Sequence, residues 1–335
     1  FDPTSGIIFD HGGEWAKLTK LGGEGRSTAT TVLSFETISQ LHAFGELVRE
    51  QKLLSFTDNR QDASLQAGHF NDFVKVGQLR AAIWNALEKY GELDYTTIAD
   101  RIFECMNIPQ VQFAKNPAQF PGPRKENEDA FKDFIMYRLL HDLRKSWRVV
   151  LPNLEQCALL KIGYKFLEES VQDNTLWNQN ELLDKMAPEE RREFLAQVFD
   201  FFRKSYALSF SMLEPATINQ NSKKIREKLI APWTVDDSDK IDYPANIQVE
   251  KLDRSNLNLF GGSAGYQSHF GRYLRNVATN HGINLRGKEI YTPAVYALFD
   301  FLCGAGWLSR KYARDENGEQ VYVYQLKVDY LLWQK

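Results

Sequence analysis

A pair of alternating aromatic segments near the carboxyl end limits the fold of this chain more than any other feature of its sequence. Residues 307–312 and 321–326 flank residues 315–318, which contain the Asn-Gly pair typical of a β-hairpin. Two helices are predicted before the hairpin, at 266–279 and at 292–302, the second opening on a Thr-Pro pair. Two helices followed by a hairpin is the order of a winged helix, which we therefore predict for this end of the chain.

A second local signal lies near residue 55. Residues 52–57 predict a short apolar strand, and Asp58 is a suitable N-cap for the helix that follows. In that helix Ala63, Ala67 and Val74 recur at helical spacing. A strand, a turn and a helix in this order indicate an α/β element.

The middle of the chain is predicted to be mostly helical. Leu79, Ile83 and Leu87 form one apolar stripe, and a short second helix begins at residues 95–98, which is again how a winged helix begins. The remaining predicted segments are helices at 128–147, 154–170 and 188–208, a proline-containing loop at 109–123 and a polar linker at 230–247.

Length and these patterns divide the chain into four parts. A single core usually stops growing near about 250 residues, and this chain has 335. We predict a mainly α fold with small β elements (α+β). The predicted parts are a partial α/β element at 1–75, a helical, winged-helix-like part at 76–150, a helical part at 151–235 and a basic winged-helix module at 236–335.

Composition excludes several classes of protein. Forty-one basic and 44 acidic residues give a net charge of −3, so no global field attracts nucleic acid or a membrane, and the apolar runs are too short for a membrane span. Cys105, Cys157 and Cys303 show no CxxC spacing and suit buried packing in a reducing cytosol, so we expect a cytoplasmic protein. The six histidines lack metal-ligand spacing, and we predict no metal or cofactor in this chain itself.

A glycine-rich segment at residues 21–31 has the composition of a phosphate-contacting loop. It reads LGGEGRSTATT, in which glycines allow close backbone approach while Arg26 and Thr28 add donors. It is not a Walker A loop, because Arg26 stands where that motif has lysine and Lys20 where it has its first glycine. The alternative is a turn-rich connector.

A second polar segment follows the predicted strand. Thr57, Asn59 and Arg60 lie at the start of a predicted helix, where backbone N–H groups and the helix dipole favour anions. Arg60 is suited to bind a phosphate, or a carboxylate of a neighbouring loop. The alternative is a capped helix with a surface arginine.

Residues 52–73, KLLSFTDNRQDASLQAGHFNDF, resemble motif IV of superfamily II DNA helicases, the opening of their second RecA-like lobe. They are most similar to large bacterial DEAD/DEAH-box enzymes with a C-terminal cysteine-bearing domain, a type found in phage-defence loci. Residues 22–34 resemble the segment that joins a zinc-binding element to that lobe. Residues 147–149 and 152–156 are similar to a recurrent pattern after motif IV.

This resemblance implies a partial RecA-like lobe followed by a helical and winged-helix insertion, in a parent enzyme that uses ATP and Mg²⁺. The chain begins at Phe1 without an initiator Met, signal peptide or transit segment, which we interpret as a fragment of something longer. No Walker A, DEAD/DEAH box or motif V occurs in the sequence. Residues 267–275 are similar to motif VI but have one extra residue between Gln267 and Gly271. We therefore expect no ATP hydrolysis by this chain alone, since that reaction needs groups from both lobes.

The basic residues concentrate near the carboxyl end. Residues 251–314 contain nine basic and three acidic residues, whereas acids outnumber bases in 151–215. Arg272 and Arg275 lie three apart on one predicted helix among aromatic residues, a combination that suits single-stranded DNA. The alternative is an amphipathic helix with its aromatic side chains in the core.

The predicted hairpin adds further candidates for nucleic-acid contact. Arg310, Lys311 and Arg314 would contact the DNA backbone from the wing, without reading base sequence.

Two functional hypotheses follow. The first is the DNA-binding and strand-handling part of an ATP-dependent helicase, with DNA, single-stranded or duplex, and the remaining motor lobes as partners. The second is a non-catalytic winged-helix module that docks a partner subunit. The second hypothesis gains if acids from residues 151–215 cover the basic charge of residues 251–314.

Overall fold

The computed structural model describes residues 26–45, 50, 52–54, 60–144, 153–235, 240–252 and 260–335. Over these residues the fold is α+β, mainly helical with two small sheets, as predicted. The helices are α1 (Arg26–Ala43), α2 (Arg60–Tyr90), α3 (Ile98–Met106), α4 (Pro121–Asp142), α5 (Leu167–Ser170), α6 (Asn174–Trp177), α7 (Glu181–Asp184), α8 (Pro188–Lys204), α9 (Pro215–Lys228), α10 (His269–Asn280) and α11 (Lys288–Gly304). The strands are β1 (Leu93–Asp94), β2 (Lys161–Tyr164), β3 (Leu208–Ser209), β4 (Asn246–Gln248), β5 (Phe260–Ser263), β6 (Leu308–Arg314), β7 (Gln320–Lys327) and β8 (Leu331–Gln334).

The carboxyl-terminal part has the order and pairing of a winged helix. The chain passes from α9 through β4, α10 and α11 to the β6–β7 hairpin, and β7 pairs antiparallel with both β6 and β4. Asp315 organises the tip of the hairpin, because its carboxylate accepts hydrogen bonds from the backbone N–H groups of Asn317 (2.9 Å) and Glu319 (2.8 Å). Gly318 supplies the positive φ of 84° that the turn requires. The predicted order of helices and hairpin is confirmed, and we call this part the inner winged unit.

The amino-terminal part repeats this order with a strand borrowed from the end of the chain. It runs from α2 through β1, α3 and α4 to β2, and β8 pairs antiparallel with β1 on one edge and β2 on the other. The third strand of this outer winged unit therefore comes from residues 331–334, after the whole inner unit. The inner unit is inserted between the second and third strands of the outer one.

The predicted helix at 154–170 is wrong over most of its length. Residues 161–164 form β2 because β8 offers them a complete row of partners, with Ile162 opposite Trp333 and Gly163 opposite Leu332. A Cβ added at Gly163 would lie 2.6 Å from Oε1 of Gln334, so that the end of this flexible side chain would have to move. Only the last turn of the predicted helix, α5, is helical in the structure.

The start of one predicted helix also moves, and one helix lies where the sequence showed a glycine-rich segment and its continuation. The helix expected from residue 292 begins as α11 at Lys288, so that Pro293 lies inside it. Helix α1 begins at Arg26 although residues 27–31 are mostly small and hydroxylated. Thr31 is fully buried and Ser34 nearly so, and α1 packs against α2. Tertiary burial therefore overrides the weak helix propensity of these residues.

The predicted strand at 52–57 is wrong for its three described residues. Lys52, Leu53 and Leu54 form no regular secondary structure, and Leu54 is 82% exposed. Residues 55–59 lie outside the described residues. The first described helix after them, α2, continues without a break from Arg60 to Tyr90 and so joins two helices that the sequence predicted separately.

One large hydrophobic cluster joins both winged units. It extends from Leu79 on α2 to Trp333 on β8 and includes aromatic contacts between distant segments, such as Phe199 with Trp307 at 4.4 Å between ring centroids. β8 links the predicted parts 76–150, 151–235 and 236–335, and β3 pairs with β7. Strands and core thus cross the predicted boundaries between these parts.

Helix α10 packs closely through Gly271. A Cβ at this position would lie 2.3 Å from the carbonyl oxygen of Gly265 and 2.9 Å from that of Tyr266. Both contacts are backbone atoms that cannot rotate away, so we expect Gly271→Ala to reduce the free energy of unfolding by roughly 2 kcal/mol. The matched control is Gly77→Ala in α2, where nothing lies within 4 Å of an added Cβ and alanine should stabilise by about 0.5–1 kcal/mol. Urea denaturation measures both changes, and equal effects would contradict this role of Gly271.

Candidate nucleic-acid interface

One face of the hairpin brings together two of the predicted arginines. Alternate residues of a strand point to the same side of a sheet, so Arg310, Tyr312 and Arg314 share one face of β6. Their register partners on β7 are Tyr324, Tyr322 and Gln320 respectively. We call Arg310, Tyr312, Arg314 and Tyr322 the wing face. Tyr312 is 63% exposed, and both arginines are exposed.

The wing face is held together by aromatic and cationic contacts. The Arg310 guanidinium lies 4.5 Å from the Tyr322 ring centroid, and the Tyr312 and Tyr322 rings are 4.8 Å apart with their hydroxyl oxygens at 3.0 Å. Asp300 of α11 accepts a hydrogen bond of 2.8 Å from Arg310, which raises the pKa of that guanidinium. The hydrogen bond with Tyr312 raises the pKa of Tyr322. This surface is therefore cationic, aromatic and preorganised.

The tip of the hairpin has the opposite charge. Its turn contains Asp315, Glu316 and Glu319, and Glu316 pairs with Lys251 at 2.8 Å. Phosphate contact from this hairpin would therefore come from the wing face, not from the tip.

Lys311 lies on the other side of the sheet. Its neighbour in register is Val323, and its ammonium is 3.6 Å from the carboxylate of Glu214, just before α9. The structure thus separates Lys311 from the two arginines with which the sequence grouped it.

The two arginines of α10 lie in different surroundings. Arg272 is exposed, whereas the Arg275 guanidinium stacks 3.8 Å from the Tyr266 ring centroid, with Tyr291 at 5.9 Å. The aromatic side chains of α10 are occupied by the core, since Phe270 stacks on Phe201 at 4.4 Å. α10 is therefore the amphipathic helix that we considered as the alternative. Of its two arginines, Arg272 is the one that faces solvent.

The candidate phosphate contacts near the amino terminus are only partly described. Arg26 and Thr28 belong to the first turn of α1 instead of a glycine-rich loop, and Arg60 is the first residue of α2. Thr57 and Asn59 lie outside the described part of the chain. The side chains of Arg26, Thr28 and Arg60 also lie outside it. Their grouping remains a prediction.

The third helix of the outer winged unit, α4, is covered by α9. Lys224 and Lys228 of α9 pair with Asp133 (2.6 Å) and Glu126 (2.5 Å) of α4. The hydroxyl of Tyr137 donates a hydrogen bond of 2.8 Å to the Met212 carbonyl. The face of α4 that carries Asp133 and Tyr137 is therefore covered by protein, whereas Arg124 and Lys125 near its start are exposed.

Asn153 and Glu155 belong to a network of buried polar and ionic contacts. Asn153 donates to the carbonyl of Asp142 at the end of α4 (2.9 Å), and Glu155 accepts two hydrogen bonds of 2.8 Å from the fully buried Arg203 of α8. Arg203 also donates to Asp200 (2.6 Å), which accepts another hydrogen bond of 2.6 Å from Tyr164 of β2. Sequence reasoning missed this network because its members lie far apart in the chain.

The network sets the ionisation of its members. Burial alone would raise the pKa of Asp200, but the charges of Arg203 and Lys204 outweigh it and hold that pKa below its ordinary value. Burial raises the pKa of Tyr164 well above its ordinary value. The Asp200 carboxylate therefore stays charged beside Arg203, and the network acts as a clamp between β2, α8 and the turn at residues 153–158.

The cysteines differ in their surroundings. Burial raises the pKa of the Cys303 thiol to about 11, and Asp300 adds to this effect, so Cys303 is a poor nucleophile. Cys105 is also half-buried, whereas Cys157 is exposed, so the expected burial is wrong for Cys157.

Comparisons with known proteins give no further information on this site. No protein-family model, curated protein or solved structure matches the chain. Among the described residues, no group of three or more His, Cys, Asp or Glu side chains is arranged to hold a metal ion. In the same part of the chain, every helix is too short or too polar to cross a bilayer.

Proposed function

We propose that this chain is the DNA-binding and strand-handling part of an ATP-dependent DNA helicase. It would combine the start of the second motor lobe, at residues 52–73, with an insertion made of two nested winged helices. The motor lobes would be its partners and would supply ATP and Mg²⁺, and the chain alone would not hydrolyse ATP. We also propose a cytoplasmic location and a role in phage defence. The assignment to a helicase motor rests on the resemblance of residues 52–73 to motif IV.

The observation that carries the DNA role is the wing face. Arg310 and Arg314 flank an exposed tyrosine on one side of the hairpin, next to the third helix of the inner unit. Arginine forms bidentate hydrogen bonds with backbone phosphate, and the tyrosine ring is suited to stack on an unpaired base. On α11 the exposed residues of its second and third turns, Pro293 and Ala297, offer no side-chain hydrogen bonds to base edges, and those that do, Lys288 and Glu289, lie in its first turn. We therefore propose backbone contact without sequence specificity.

A second candidate function, docking of a partner protein, is favoured by a different observation. Lys311 is 3.6 Å from Glu214, which belongs to the acidic segment 151–215. That segment thus covers part of the basic charge. Basic residues that pair with acids of the same chain are less able to bind a polyanion such as DNA. A surface of mixed charge is suited to docking a partner protein.

The test is a fluorescence-anisotropy titration with single-stranded and duplex DNA at about 50 and 200 mM salt. Arg310→Gln with Arg314→Gln is expected to weaken binding at least about tenfold for all DNA sequences alike, because two phosphate contacts are lost. The slope of log affinity against log salt should fall by roughly 1.4 on single strands. The matched control is Lys185→Gln with Arg192→Gln, two bases paired with acids on the acidic segment.

The outcomes separate the two candidates. Wild-type protein that fails to bind DNA at micromolar concentration, or binds with no dependence on salt, rules out the DNA role and favours docking. Equal losses in the wing-face variant and in the control variant would also contradict a role for the wing face.

A further inference from the structure

A second basic surface of the inner winged unit lies where α10 turns into α11. Its members are Arg272 and Arg275 of α10, Arg286 of the connecting turn and Lys288 at the start of α11. Arg272, Arg286 and Lys288 are exposed, and Arg275 is half-buried. We call these four residues the basic turn.

The ring of Tyr266 brings members of the basic turn together. The Arg275 guanidinium stacks 3.8 Å from the centroid of that ring, and the Tyr266 hydroxyl accepts a hydrogen bond of 3.3 Å from the backbone N–H of Gly287. Gly287 stands between Arg286 and Lys288 and has a φ of 95°, so the chain turns beside the ring. The residues on either side of this glycine therefore lie near the guanidinium of α10.

Close packing of α10 against α11 fixes the remaining member. Arg272 lies one helical turn before the stacked guanidinium, on the same face of α10. Its neighbour Gly271 allows the two helices to approach, since an added Cβ there would lie 3.0 Å from the hydroxyl oxygen of Tyr291. The Asn284 side chain accepts a hydrogen bond of 3.0 Å from the backbone N–H of Arg286 and so orders the turn. The four cations therefore belong to one ordered surface.

The charges of the basic turn are not compensated within the described part of the chain. None of its four side chains forms an ion pair or donates a hydrogen bond to a residue that the structure describes. Nη1 of Arg275 is shielded from solvent with no hydrogen-bond partner among those residues. The acid closest along the chain is the exposed Glu289, beside Lys288. Like charges that lie close together repel one another, so this surface is suited to an external polyanion.

Other basic side chains of the inner winged unit are paired within the chain. Three such pairs are Arg310–Asp300, Lys311–Glu214 and Lys251–Glu316. An external anion therefore meets less competition from carboxylates of the chain at the basic turn than at these three cations.

The exposed side of α11 connects the basic turn to the wing face. The exposed residues Pro293 and Ala297 lie between Lys288 and Asp300, which pairs with Arg310 of the wing face. At about 1.5 Å per residue, the helix from Lys288 to Asp300 is roughly 18 Å long. The major groove of a DNA duplex is roughly 12 Å wide, so the phosphates on its two borders lie apart on this scale. Two cationic surfaces with this spacing are suited to the two backbones of one duplex.

We infer that the basic turn binds backbone phosphates of duplex DNA, while the wing face contacts the opposite backbone. The inference rests on the proposed DNA role, deepens it and adds Arg286 and Lys288 to the contact residues. Guanidinium groups form bidentate hydrogen bonds with phosphate, and lysine adds a point charge. One face of the Tyr266 ring is already covered by Arg275, so that face is not available to stack on an unpaired base. An acidic peptide would use the same cations but would gain nothing from the spacing of the two surfaces.

The experiment titrates the whole chain with a fluorescein-labelled duplex of about 20 base pairs, and with one of its strands alone, at about 50 and 200 mM salt. Arg272→Gln, Arg286→Gln and Lys288→Gln combined are expected to weaken duplex binding at least about thirtyfold. The slope of log affinity against log salt on the duplex should fall by roughly 2.7, because three phosphate contacts are lost. On the single strand the same variant should lose at most about fivefold.

A matched control removes the same number of charges elsewhere. Arg101→Gln, Lys185→Gln and Arg192→Gln combined change two arginines and one lysine that are paired with acids. This control variant should bind the duplex within about twofold of wild type. Thermal melting checks that each variant is folded. If the triple variant unfolds, Arg286→Gln with Lys288→Gln repeats the test with an expected loss of at least about tenfold.

The outcomes separate this inference from the proposed function. Wild-type protein that binds neither DNA overturns the proposed function and this inference with it. If the wing-face variant loses duplex affinity and the folded basic-turn variant binds like wild type, the inference alone is overturned. Equal losses on duplex and single strand would overturn the assignment to duplex DNA. Labelled oligoglutamate of equal charge that binds as tightly as the duplex would overturn the inference in favour of an acidic peptide.

Discussion

Replacing Trp333 by alanine is expected to lower the free energy of unfolding by about 3–5 kcal/mol, a large share of the total stability of a typical domain. Trp333 is 1% exposed and lies on β8, the central strand between β1 and β2. It is opposite Leu93 on one side and Ile162 on the other. Truncating it therefore removes packing from both edges of the outer sheet at once.

Urea denaturation measures the change in the free energy of unfolding. Hydrogen exchange of the folded protein measures the protection of the β2 amides. The matched control is Trp84→Ala on α2, because Trp84 is only half-buried and has the Lys335 ammonium 4.8 Å from its ring. We expect the control to lose about 1 kcal/mol. If Trp333→Ala costs no more than the control, or leaves the amide protection of β2 unchanged, β8 is not the strand that closes the outer unit.

Replacing Glu155 by glutamine is expected to lower stability by about 3 kcal/mol, because it leaves the buried Arg203 charge with Asp200 as its remaining carboxylate. The shape of the side chain is nearly unchanged, so the loss reports charge and not packing. The control is Glu181→Gln, which changes the same residue type in an exposed pair with Lys185 and should cost less than about 1 kcal/mol.

A double-mutant cycle separates the pair from its surroundings. Arg203→Met removes the buried cation, so Glu155→Gln combined with it should cost about 1–3 kcal/mol less than the two single changes added together. Additive losses would show that Glu155 and Arg203 are not coupled and would contradict the clamp.

Sequence reasoning was most successful where structure depends on neighbours along the chain. The β6–β7 hairpin follows from aromatic alternation around Asn317-Gly318, and α10 follows from apolar spacing. For the same reason the order of the inner winged unit could be predicted. The two-residue period of a strand also places Arg310 and Arg314 on one face and Lys311 on the other, which our grouping of all three residues did not take into account.

Prediction failed where a partner lies far away in the chain. Residues 161–164 have no local signal strong enough to choose a strand, and they become β2 because β8, about 170 residues later, pairs with them. For the same reason sequence reasoning missed the contact of Lys311 with Glu214, which lies far earlier in the chain.

What the sequence determined by itself was therefore the local content of this protein: most of its helices, its hairpin and its α+β class. Only the tertiary structure decided that one winged helix is nested inside another, that Lys311 contacts Glu214 on the face opposite Arg310 and Arg314, and that Glu155 pairs with Arg203. The physical reason is that propensity and periodicity act between residues a few positions apart. Strand pairing and charge compensation depend instead on segments that meet only when the core closes.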